Sequence, residues 1–284
     1  MAVRSGIIPL SELPLRNDFM FGAVMRTEAI CTMFLEELLG RSIQQIRFID
    51  QQKDFSDSYE YHGIRLDVYL KDEAGTVFNV EMQAASGDDL PRRARYYQSG
   101  IDRRELPKGA PYTSLSESFI IFVCDFDYFH IGKAVGERVC MLKGTDVPYQ
   151  DGSHVFFLNS RYQDGNASPA ILEFLDLIRT NDMDRTYATA LGQMAQKKIQ
   201  AVRQDRILEV SYMTYAQKML DERSAGYRMG HREGLEAGRE KGLAEGRTET
   251  LTQVVRRMQA LGFDDSAIAK ATGYPIETIQ KIHE

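Results

Sequence analysis

Two short segments of this chain alternate strictly between apolar and polar residues, the pattern of pleated strands. In residues 63–70, Ile64, Leu66, Val68 and Leu70 alternate with Arg65, Asp67 and Tyr69; in residues 77–84, Phe78, Val80 and Met82 alternate with Asn79, Glu81 and Gln83. Successive strand side chains point to opposite faces, so each segment has an apolar and a polar face, and Glu81 and Gln83 point the same way. Between them KDEAG supplies turn chemistry with Gly75. The pair predicts an antiparallel hairpin. With a turn over 72–76, Asp67 falls opposite Glu81 and Arg65 opposite Gln83. Directly opposed side chains stand about 4.5–5.5 Å apart at Cβ, and a slip of one residue would undo the pairing.

The polar face has two readings. Two opposed carboxylates repel unless a cation lies between them, and Mg²⁺ takes one or two carboxylates together with waters and substrate phosphates. Alternatively, a hairpin with one solvated face shows the same alternation by default. On a wet surface the opposed acids would cost only on the order of tenths of a kcal/mol.

The surrounding chain places the hairpin in a mixed sheet. Residues 18–42 carry apolar residues at helical spacing, with Asn17 as N-cap and Gly40 as a stop, and predict one helix. IRFID (46–50) reads as a strand, residues 91–102 as a basic helix, SESFIIFVCDFD (116–127) as a buried strand and HVFFLN (154–159) as another. Helix, strand, hairpin, helix, strand, strand suits an α/β fold. From Ser168 onward strand signals nearly vanish. One helix starts at Ser168 and Pro169, another spans 183–201, and a third begins near Gln204. The expected organisation is a domain over 1–165, a helical region over 166–224, a glycine-repeat helix over 225–248 and a small helical unit over 249–284.

The glycine repeat places Gly226, Gly230, Gly234, Gly238, Gly242 and Gly246 four apart. Each mid-helix glycine costs about 1 kcal/mol relative to alanine, so a helix here needs an offsetting contact. Steps of four drift only about 40° per repeat and make one slowly spiralling stripe. Small-residue stripes let helices approach closely, which points to a homo-oligomer assembled through the C-terminal helices. A flexible charged linker is the alternative. Beyond it, two short helices around Gly273 resemble a helix-turn-helix, although such hairpins also serve as packing units.

Composition excludes several classes. Apolar residues at 43% and charged residues at 27% are a globular balance. No run approaches the roughly 18–20 apolar residues of a membrane span, and the N-terminal stretch lacks the apolar segment of a secretory signal. Cys31, Cys124 and Cys140 form no CxxC pair, which fits a reducing, cytoplasmic setting. There is no GxxxxGK[ST] loop, no GxGxxG after a strand, no GxSxG elbow and no ligand-spaced histidine pair. The net charge of −6 does not advertise nucleic-acid binding, but local patches set such contacts, and Arg92, Arg93, Arg95, Arg103, Arg104 and Lys108 form one.

The stretch RLDVYL–KDEAGT–VFNVEMQ resembles the D-x(n)-E-x-K core of the PD-(D/E)XK nucleases. With NDFMFGAVM (17–25) and RRARYYQSGID (92–102) it more specifically resembles the Rpn group of recombination-promoting nucleases, the PD-(D/E)XK nuclease family transposases, over about residues 15–160. The resemblance implies a restriction-endonuclease-like mixed sheet flanked by helices, followed by an all-helical C-terminal region. It implies a Mg²⁺-dependent DNA endonuclease, with Mn²⁺ or Ca²⁺ as other ions, acting in recombination, mobile-element movement or defence. Asp67 and Glu81 would hold the metal, with the Met82 carbonyl a further ligand. Asp18 is either an outer ligand or a first-turn acid favouring the helix dipole. Leu66 stands where the nominal proline would be and Gln83 where the nominal lysine would be. Glutamine, usual in this group, can hydrogen-bond the attacking water but carries no charge. Arg93, Arg95 and Tyr97 are candidates for nucleic-acid contact; a solvated helix face is the alternative. The rival to an enzyme is a non-catalytic oligomeric DNA-binding or assembly protein on a degenerate nuclease fold.

Overall fold

The computed structural model describes residues 7–49, 67–86 and 89–282. The chain divides into two compact units, Met1–Met213 and Thr214–Glu284.

The first unit is built on a mixed sheet. Its strands are β1 (Ile46–Phe48), β2 (Val68–Asp72), β3 (Val77–Gln83), β4 (Ser118–Cys124), β5 (Val135–Glu137) and β6 (Ser153–Asn159). They lie in the order β1-β2-β3-β4-β6-β5. β1, β2 and β3 pair antiparallel, β3, β4 and β6 pair parallel, and β5 closes the far edge antiparallel to β6. The helices are α1 (Asp18–Met25), α2 (Glu28–Leu39), α3 (Leu90–Glu105), α4 (Pro169–Thr180), α5 (Ala190–Gln204) and the start of α6 (Arg206–Ala260).

The apolar faces decide the layers. Val77 of β3 shares a cluster with Ile120 and Phe122 of β4 and with Leu90, Ala94, Tyr97 and Ile101 of α3. Phe78, Val80 and Met82 point to the opposite face by the strand period, where α1 contacts β3 and packs with α2 and α5, and these two in turn pack with α4. Phe34 of α2 meets Phe174 of α4 at 5.2 Å between ring centroids. Each such fully buried aromatic stabilises the fold by roughly 1.5–3 kcal/mol.

Two sequence expectations are corrected, and one strand has no counterpart among them. Residues 18–42 form two helices rather than one. The Arg26 N–H closes α1 on the Gly22 and Val24 carbonyls, and Thr27 then turns extended before Glu28 starts α2. The apolar spacing runs through this break, so periodicity cannot show it. The predicted ends, Asn17 accepting from the Phe19 N–H and Gly40 at φ 64°, are both present. The helix expected over 183–201 begins only at Ala190, capped by Thr189. Glu173 accepts the Ala188 and Thr189 N–H groups and holds the preceding segment as a loop. β5 gave no signal because three residues are too few for a period. The Asn166 side chain bonds both Val135 N–H and Val135 C=O and blunts that edge.

The polar face of the hairpin is not wet. All residues of β3 are buried, with Asn79 at 0%, Glu81 at 1% and Gln83 at 8% exposure. β3 lies inside the sheet between β2 and β4, and helices cover both its faces. The expected strand residues Ile64, Arg65 and Leu66 lie outside the described residues.

In the second unit α6 continues to Ala260 and is followed by α7 (Asp265–Thr272) and α8 (Ile276–Gln280), joined through Gly273 at φ 74°. Leu251, Val255, Ile268 and Ile279 form its core. All six repeat glycines are helical, so the stripe lies along a helix surface. Among the described residues no helix is long and apolar enough to cross a membrane.

Candidate active site

The β2–β3 register pairs Val68 with Val80, Tyr69 with Asn79 and Leu70 with Phe78. One step further along the same register, Asp67 stands opposite Glu81, as a turn over 72–76 requires. The contacts agree. The Asp67 N–H donates to Glu81 Oε1 at 3.2 Å, and the Met82 N–H donates to Asp67 Oδ2 at 3.0 Å. Thr76 accepts from the Asp72 N–H towards β2, whereas the Val77 N–H donates to Glu117, on the β4 side. Even-numbered residues of β3 therefore direct N–H and C=O towards β2. The Met82 carbonyl thus faces the corner in which the two carboxylates meet.

Helix α3 closes the corner. Asp89 caps it by accepting from the Arg92 N–H, and Pro91 occupies its first turn. Ala94, Tyr97 and Ile101 lie against the sheet, which brings Arg93 over the end of β3. Its Nη1 donates to Gln83 Oε1 at 2.9 Å, its Nη2 to Glu81 Oε2 at 3.3 Å and its Nε to the Tyr97 hydroxyl at 2.7 Å. The guanidinium carbon lies 5.2 Å from the centre of the Tyr97 ring and 5.8 Å from that of Phe122, a cation–π arrangement. Arg93 is thus a structural partner of the carboxylate face. The sequence placed it only as a phosphate contact; its i, i+4 spacing to Tyr97 was the available signal.

Burial, and after it the negative charge of Asp67, pushes the Glu81 carboxyl well above the usual carboxylate range, while Arg93 pulls it back. Burial and the Glu81 charge likewise push the Tyr97 hydroxyl up to about 12, so it stays a neutral phenol at ordinary pH.

Helix α1 crosses the same end of the sheet. Just before it, Arg16 pairs with Asp125, the residue after β4, at 3.5 Å. Just after it, Arg26 Nη2 donates to the Asp67 carbonyl at 3.3 Å. Asp18 sits exposed in the first turn of α1, at the Arg16 end. The structure therefore gathers Asp67, Glu81, Met82, Gln83, Arg93 and Tyr97. Arg95 is exposed and lies about 200° around α3 from Arg93. Tyr97 is only 7% exposed and orients Arg93 rather than offering its ring to a base.

Among the described residues no three His, Cys, Asp or Glu side chains come together as a metal-ligand cluster. What the corner offers is two carboxylates and a main-chain carbonyl. An all-oxygen set of this kind suits a hard divalent cation that keeps part of its water shell.

A profile of the PD-(D/E)XK nuclease family transposases matches residues 15–221. No curated protein and no solved structure matches the chain. The match runs from the residues before α1 into α6 and takes in the whole sheet, the carboxylate corner and α3: the chain belongs to the PD-(D/E)XK nuclease family transposases.

Proposed function

We propose that the protein is a metal-dependent DNA endonuclease that hydrolyses phosphodiester bonds, with Mg²⁺ as its ion. The observation that carries this reading is the opposition of Asp67 and Glu81 across β2 and β3, with the Met82 carbonyl facing the same corner. Asp67, Glu81 and that carbonyl would hold the ion. A bound divalent ion acidifies water and neutralises charge developing on a phosphate. Gln83, its oxygen engaged by Arg93, keeps its amide N–H groups to orient a water oxygen. Arg93 screens Glu81 and presents positive charge to the phosphate. Burial excludes competing water from Glu81, which strengthens the interactions made there.

The test is plasmid cleavage by purified protein with Mg²⁺. Asp67→Ala should lower the rate at least about a hundredfold with its circular dichroism spectrum unchanged. Cleavage by Asp67→Ala at the wild-type rate would sink the assignment.

A second reading, a non-catalytic DNA-binding or assembly protein on the same fold, draws support from Arg93, which already supplies Glu81 with a cation. Calorimetric titration with Mg²⁺, Mn²⁺ and Ca²⁺ separates the two. Binding that is lost in Glu81→Ala favours the enzyme; no binding favours the scaffold. In either case the glycine-striped α6 is our candidate for self-association.

A further inference from the structure

Next to the carboxylate corner lies a second charged cluster that the reaction described above does not use. Asp125 follows β4, and its N–H donates to the Gln83 carbonyl at 2.9 Å, so its backbone abuts the end of β3. Its side chain is only 6% exposed. Arg161, in the turn after β6, grips it side-on, with Nε to Oδ1 at 3.0 Å and Nη2 to Oδ2 at 3.1 Å. The Ser160 hydroxyl donates to Oδ1 at 2.7 Å, and Arg16 approaches Oδ2 at 3.5 Å.

Two features separate this cluster from an ordinary ion pair. One carboxylate holds two guanidinium groups, so the cluster keeps one positive charge in excess on a chain whose net charge is −6. Both arginines remain accessible, at 42% and 49% side-chain exposure, while the acid beneath them is buried. Nη1 of Arg161 makes no hydrogen bond among the described residues and is free to donate. A buried anion that fixes two exposed guanidinium groups is a preorganised receptor for a tetrahedral oxyanion, because a planar guanidinium fork matches phosphate oxygens in pairs.

The location points to the kind of oxyanion. β3, β4 and β6 run parallel, and neighbouring strands lie roughly 4.8 Å apart. The ends of β4 and β6 are thus one and two strands over from Glu81 and Gln83. A polymer whose phosphates recur along its length, laid across these strand ends, would meet the carboxylate corner and the arginine pair in succession. We propose that Arg16 and Arg161, held on the Asp125 carboxylate, form a phosphate clamp that seats the DNA backbone beside the Asp67–Glu81 pair. The proposal rests on the nuclease reading of that pair for its orientation, but it predicts a property of binding rather than of cleavage. Asp125 and Ser160 are positioning residues; the arginines touch the substrate.

The experiment is fluorescence anisotropy of a labelled DNA duplex over a salt series, in an Asp67→Asn background so that the probe survives. Arg16→Gln and Arg161→Gln should each weaken binding roughly tenfold and lower the slope of log K against log salt by about one. Arg161→Lys should keep the slope, since it keeps the charge. A merely structural ion pair would leave the slope unchanged in all three variants, and that result overturns the proposal. If Arg161→Gln fails to fold by circular dichroism, Arg16→Gln decides alone, since Arg161 still pairs with Asp125. Wild-type cleavage that depends on Asp67, together with unaltered slopes, removes the clamp and leaves the nuclease. Lowered slopes with a wild-type protein that never cuts DNA remove the nuclease and leave the clamp.

Discussion

At the residue scale the tension of this molecule sits in Glu81. The side chain is buried, faces Asp67, and its carboxyl is held well above the ordinary glutamate value, by burial first and by the neighbouring acid second. A group whose folded pKa is raised stabilises the fold below its unfolded value, about 4.3, and loses that contribution as pH rises through the folded value. Glu81→Gln removes the titration. In chelator, the melting temperature of the wild type should therefore fall relative to Glu81→Gln as pH rises from about 4 upward; parallel curves would contradict the burial argument. Gln83 yields a sharper expectation. Restoring the lysine of the nominal motif would replace the oxygen that accepts from Arg93 Nη1 with a second cation. Gln83→Lys should cost about 1–3 kcal/mol by thermal or urea unfolding and should not raise cleavage. A gain in both would show that Arg93 yields its place readily.

At the scale of single elements, α3 and α6 contrast. α3 buries Leu90, Ala94, Tyr97 and Ile101 against the sheet and delivers Arg93 to the carboxylates, so its position follows from its packing. Along the repeat, α6 presents exposed Tyr227, Met229, Leu235 and Leu243 and six helical glycines. A Cβ built on any of these glycines meets nothing within 4 Å. In the single chain, then, alanine at Gly234 and Gly238 fits, and should stabilise the helix by about 1 kcal/mol each through propensity, seen as added helicity by circular dichroism. Leucine at the same two positions should reduce self-association if the stripe is the contact. Light scattering that reports the wild-type mass for the double leucine variant would end that idea.

For the whole molecule, the family match ends at residue 221, eight residues beyond the boundary of the first compact unit. The early turns of α6 belong to that unit. The Tyr212 hydroxyl donates to the Ile8 carbonyl at 2.8 Å, and its ring packs 5.1 Å from that of Phe19. Arg203 Nη2 donates to the Leu13 carbonyl at 2.9 Å. A chain ending at residue 221 should melt cooperatively, close to the main transition of the full protein. One ending at residue 205 should melt lower by several degrees, since about 1–2 kcal/mol of packing and hydrogen bonding at Tyr212 is gone. Equal melting temperatures would show that this helix start adds nothing to the unit.

What the sequence alone determined is what a local period can report. Alternation oriented Glu81 and Gln83 together, and the turn length set the register that brings Asp67 to Glu81. The apolar run at 118–124 announced a buried strand, and Asn17, Ser168, Gly40 and Gly273 marked helix ends through their own backbone or side-chain chemistry. The three motifs that carried the family resemblance lie within the matched residues 15–221. The tertiary structure decided the rest. That the polar face is dry depends on β4 pairing alongside β3 and on α3 lying across both. That Arg93 meets Glu81 depends on the angle at which α3 returns. That Asp125 gathers Arg16 and Arg161 depends on segments far apart in the chain meeting at one end of the strands. Periodicity describes how a segment is oriented about its own axis; which charges meet, and whether water reaches them, follows from packing between segments.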